Sequence, residues 1–80
     1  MSNLDKLNKI LCDVFDYASA DDLSDELGPD EIEEWDSLAH VEIVTQMEGT
    51  FEISFAVIDV SRMYTIGDIK KILKKYGVEV

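Results

Sequence analysis

Eighty residues make one domain, with no room for two separate cores, and a single cysteine (Cys12) excludes an intramolecular disulfide. Seven basic residues against eighteen acidic ones leave a net charge of -11, which repels nucleic acid and anionic membranes and favours basic partners. The first ten residues, MSNLDKLNKI, lack the apolar core of a signal peptide, and no segment is apolar over a membrane-spanning length, so a soluble cytoplasmic monomer is expected.

Leu4, Leu7, Leu11, Val14 and Phe15 recur at helical spacing, and Ser2 followed by Asp5 forms a capping-box pattern. A first helix is predicted over residues 3–17. From Asp21 to Trp35 the chain is rich in Asp, Glu, Ser, Gly and Pro, with Gly28-Pro29 as its strongest turn signal, and reads as a loop. A loop of this length needs pinning, for which Leu23, Leu27, Ile32 and Trp35 are the available anchors.

Ile43, Val44, Met47 and Phe51 share one face of a second helix, predicted over residues 37–50, whose end Gly49 is expected to loosen. The run FEISFAVIDV is ambiguous, because Phe51, Ile53 and Phe55 alternate like a strand. A lone strand has no partner, so the run is read as a connection followed by a short helix at 57–62. Thr65 and Asp68 open a last helix, with Ile66, Ile69, Ile72, Leu73 and Tyr76 as its apolar stripe and lysines near its negative end, stopping before Gly77. The expected fold is all-α, a four-helix bundle in one domain over residues 1–80, with three longer helices, one short helix and a long first loop.

Ser37 stands where the acidic loop meets the second helix, and either it or Asp36 can cap that helix. A helix N-terminus also favours a phosphate group, so a phosphoester on Ser37 fits the same position. Nucleophilic catalysis requires a base, and the lone His40, three residues on along the same helix, brings no evident oxyanion hole or enclosed pocket. His40 is expected to be a partly exposed helix residue and Cys12 a small buried hydrophobe. The loop acids Asp21, Asp22, Asp25, Glu26, Asp30 and Glu31 lack the spacing of a calcium-binding loop, and no Cys/His cluster suggests zinc. No metal site is expected.

The segment WDSLAHVEIVTQMEGTF resembles the acyl carrier protein signature, in which Asp-Ser-Leu opens the second helix. The resemblance spans nearly the whole chain: a first helix, a long loop ending at Asp36-Ser37-Leu38, the spacing of Phe51 to Phe55, and Thr65-Ile66 opening the last helix. It implies a free-standing carrier rather than an enzyme. Ser37 would receive a 4'-phosphopantetheine arm from coenzyme A through a magnesium-dependent phosphopantetheinyl transferase, with Asp36 beside the attachment point. The arm's thiol would hold acyl intermediates as thioesters for synthase, ligase or other acyl-transferring enzymes with basic docking patches. By the same resemblance, Leu38, Val41, Glu42, Thr45 and Glu48 would face partners, while Ile43, Val44, Met47 and Phe51 turn inward around an acyl chain.

Ala39, Thr45, Gly49 and Ala56 depart from carriers of general fatty acid synthesis, which often have an acid, Met, Glu and Pro there. Fatty acid, polyketide and more specialised pathways all stay open. The alternative is an acidic helical interaction module in which Ser37 serves only as a cap.

Overall fold

The computed structural model describes residues 2–17 and 19–80. Among these residues the regular elements are α1 (Asn3–Phe15), a 3-10 turn at Ala20–Asp22, α2 (Ser37–Phe51), α3 (Val57–Ser61) and α4 (Ile66–Lys75), with no strand.

The α1 helix begins with the capping box read from the sequence. Ser2 Oγ accepts the Asp5 amide at 3.1 Å, and the Asp5 carboxylate accepts the Ser2 amide at 3.4 Å. Its stripe buries Leu7, Ile10, Leu11 and Phe15, each burial contributing about 1.5–3 kcal/mol. The helix stops at Phe15 rather than 17 because Asp16 turns left-handed (φ 58°), a conformation that Asp tolerates. Cys12 is half-buried at the edge of this stripe, not within the core as expected. Partial burial pushes its thiol pKa up, and Asp13 and Asp22 add to the shift.

The loop after α1 is tied down by apolar anchors and by backbone. Ile32 and Trp35 are buried, and Leu23 and Leu27 are half-buried against the core. The amides of Ile66 and Gly67, unpartnered within α4 because they open it, donate to Leu27 O and Asp25 O at 3.0 and 2.9 Å. Lys70 Nζ pairs with Asp25 Oδ1 at 2.7 Å across the same junction. Gly28 sits against the chain entering α4, where an added Cβ would lie 2.5 Å from Tyr64 O. No larger residue fits without moving that backbone.

In α2 the core face is Ala39, Ile43 and Met47, with Val44 and Phe51 half-buried beside it. Gly49 does not loosen the helix, which continues to Phe51 and ends where Glu52 turns left-handed (φ 55°). The segment that follows is a connection and not a strand. Glu48 Oε2 accepts the Phe55 amide at 2.9 Å, satisfying a donor that a sheet would otherwise have used.

The short α3 is fastened at its start by α4. Tyr76 Oη accepts the Ala56 amide at 2.8 Å and donates to Asp59 Oδ2 at 2.5 Å, while Lys75 Nζ meets Asp59 Oδ1 at 2.9 Å. Asp59 is 3% exposed, and these partners hold its carboxyl below the usual carboxylate range, the Tyr76 hydrogen bond first and Lys75 second. Thr65 Oγ1 caps the start of α4 through the Asp68 amide at 3.1 Å. At its other end Gly77 (φ 85°) closes a Schellman motif, with Val78 N–H on Leu73 O at 2.9 Å and Gly77 N–H on Lys74 O at 3.0 Å.

Two glycines should therefore respond oppositely to the same change. Gly28→Ala is expected to destabilise by about 1–3 kcal/mol through overpacking, whereas Gly49→Ala, with nothing within 4 Å of the new methyl, should stabilise by about 0.5–1 kcal/mol. Urea unfolding midpoints measure both. Because folding lowers the Asp59 pKa, its network stabilises the fold above the ordinary carboxylate range, and that contribution disappears as pH falls through the lowered value. The stability difference between wild type and Asp59→Asn should accordingly be largest near neutral pH and shrink in acid, read as urea midpoints across pH.

Candidate functional site

The loop delivers Ser37 to the start of α2 through a short series of contacts. Trp35 is 5% exposed and rests on Phe15 of α1, ring centroids 5.1 Å apart. Its amide donates to Ile32 O and the next amide, of Asp36, to Glu34 O, both at 3.0 Å, so the backbone is already turned when it reaches the helix. Asp36 is the N-cap: its Oδ1 accepts the Ala39 amide at 2.8 Å, and its carbonyl accepts the His40 amide at 2.9 Å.

That assignment decides between the two capping readings. Asp36 caps, and Ser37 is the first residue inside the helix with its side chain exposed. With the Ala39 and His40 amides engaged by Asp36, those of Ser37 and Leu38 are the two of the first turn with no carbonyl one turn back to bond. An exposed hydroxyl thus stands beside two free N–H groups at the positive end of a 15-residue helix, a setting that suits a phosphoester.

His40 does not act on Ser37. Trp35 Nε1–H donates to His40 Nδ1 at 2.9 Å, and His40 Nε2 lies 2.9 Å from Val60 O. Indole is a donor only, so Nδ1 is the acceptor and Nε2–H faces the Val60 carbonyl. Sequence spacing placed His40 as a partly exposed helix residue, which it is, but gave no sign of this bridge from the loop to α3. The acids Asp21, Asp22, Asp25, Glu26, Asp30 and Glu31 do not converge; no group of three or more His, Cys, Asp or Glu side chains able to hold a metal ion occurs among the described residues.

The outward face of α2 is partly apolar. Leu38 is 69% and Val41 58% exposed, and Glu42 and Thr45 are exposed with them. Glu48 differs from these four, being half-buried with one carboxylate oxygen on the Phe55 amide. On α3, Val57 and Ile58 are exposed as well. Large apolar side chains are thus left open on both α2 and α3, as they also are at Leu4 and Tyr64.

No family model matches the chain, and no curated protein does. Among solved structures it is similar to a holo acyl carrier protein from Geobacter metallireducens, determined in solution. The two are 30% identical, the match covers 94% of this chain and 85% of that one, and the TM-score is 0.77. Identity and fold agree along nearly the whole length, and this chain belongs to the acyl carrier protein family.

Proposed function

We propose that Ser37 is the attachment point of a 4'-phosphopantetheine arm, and that the protein presents acyl groups to biosynthetic enzymes without catalysing their chemistry. The observation that carries this reading is the exposed Ser37 side chain, relieved of capping by Asp36 and set beside the free amides of Ser37 and Leu38. The similar Geobacter protein is a holo carrier, which supports the same assignment.

The residues present fit a phosphodiester. The two amides and the helix dipole favour its negative charge, and the Asp36 carboxylate points at Ala39 N–H, so part of its own charge is already engaged by the cap. When attached, the arm supplies a thiol that holds acyl groups as thioesters. The chain supplies no base to activate Ser37, since both nitrogens of His40 are engaged elsewhere, and activation falls to the transferase with its magnesium.

Partners meet α2 through Leu38, Val41, Glu42 and Thr45, which combine exposed apolar surface with acid. Transferase, synthase and ligase surfaces with basic patches complement this face, and the net charge of -11 steers them to it over distances beyond direct contact. Glu48 contributes chiefly by holding the α2–α3 connection, through Phe55, behind that face.

Incubation with coenzyme A, magnesium and a broad-specificity phosphopantetheinyl transferase, followed by intact-mass measurement, should show one added arm on the wild type and none on Ser37→Ala. No modification by several transferases, or equal modification of Ser37→Ala, would sink the carrier reading. The KM for the carrier should also rise between low and physiological ionic strength, since screening weakens the steering. A KM indifferent to salt would count against charge-guided docking.

A further inference from the structure

The side chain of His40 joins three elements, the loop end, α2 and α3. Its Nδ1 receives the indole N–H of Trp35, two residues before the site serine, and its Nε2–H donates to Val60 O on α3, both at 2.9 Å. The imidazole and indole rings also stack, with centroids 6.0 Å apart and planes 19° from parallel. This arrangement is available only to the neutral ring in one tautomer, because an imidazolium has two donors and no acceptor.

We propose that His40 is a proton-sensitive positioning residue for the Ser37 site. In its neutral form it locks Trp35, and with it the turn through Asp36 to Ser37, onto the body formed by α2 and α3. A proton taken up on Nδ1 turns that nitrogen into a donor facing the indole donor. The Trp35 link then breaks, while Nε2–H stays free to hold Val60. The serine turn keeps its Asp36 cap but loses its lateral support, so uptake of a single proton loosens the turn without unfolding the domain.

The elements that meet at the ring, and α1 behind the indole, carry charges of their own. Among them are Glu33, Glu34 and Asp36 on the loop, Glu42 and Glu48 on α2, Asp59 on α3 with Arg62 at its end, and Asp13 on α1 with Asp16 at its end, where Phe15 backs the indole. Asp36 is engaged by the Ala39 amide, and Asp59 by Tyr76 and Lys75. The direct hydrogen-bond partners of the imidazole are Trp35 and Val60.

The proposal rests on the carrier reading only where it concerns modification of Ser37. One tryptophan and one histidine in the chain make both signals unambiguous. In the unmodified protein, the Trp35 indole N–H and the His40 ring can be followed by nuclear magnetic resonance from pH 8 to pH 5, together with tryptophan emission. The indole resonance should shift with the same midpoint as the imidazole, its hydrogen exchange with water should quicken severalfold, and helix content by circular dichroism should not change.

His40→Gln keeps a donor and an acceptor but does not titrate, and should abolish the transition. Across the same pH interval, kcat/KM for phosphopantetheinylation of the wild type relative to His40→Gln, with one transferase, should fall severalfold as pH drops. Titration of His40 without any response of the indole, persistence of the transition in His40→Gln, or a flat kcat/KM ratio overturns the proposal. An intact indole transition with no modification at any pH overturns the carrier reading and supports the lock.

Discussion

The stretch from Ser19 to Asp36, regular only at Ala20–Asp22, is costly to order in this small protein, since fixing each residue's backbone opposes folding by about 1–2 kcal/mol. Burial of Leu23, Leu27, Ile32 and Trp35 offsets part of that cost, and the junction between the loop and α4 contributes as well by pairing the first amides of the helix with loop carbonyls at Asp25 and Leu27. The same junction keeps the amide of buried Ile66 from going unpaired. Once the loop is fixed there, Ile32 and Trp35 enter the core, Trp35 rests on Phe15, and the chain arrives at Ser37 already oriented. The position of the serine thus depends on contacts made well away from it.

Charge is distributed to match. Four of the seven cations are lysines of α4, and two of those are engaged internally, Lys70 with Asp25 and Lys75 with Asp59. These pairs fasten the loop and α3 to α4. Neither pair involves an acid of α2 or its Asp36 cap.

Most of the architecture was legible from the sequence because it rests on local rules. The capping pairs at Ser2 and Thr65, the glycine after α4 and the apolar stripes each act within a turn or two of helix, and they appear where their spacing placed them, except that Leu4 is exposed and Ile10 takes its place in the α1 core face. The discrepancies have local causes as well: Asp16 ends α1 early by turning left-handed, and an open-faced Gly49 is carried inside α2 by its neighbours. Ser37 and its exposed apolar neighbours were legible through the Asp-Ser-Leu segment. The bridge through His40, the Asp59–Tyr76–Lys75 network and the role of Glu48 were not, since each joins side chains to partners outside their own helix, where helical spacing carries no information. No spacing rule connects Trp35 to Val60.

The close approach of Gly28 to Tyr64 O means that the loop and the entrance to α4 share one boundary, with room for only one occupant. Gly67 meets the loop just as closely, an added Cβ lying 3.1 Å from Asp25 O. Residues 25–28 and 64–67 therefore form a single unit of variation, although they are separate in the chain. A loop grafted from another carrier will seat only if its matching α4 entrance is transplanted with it, so chimeras of this fold are best cut on both sides of that pair.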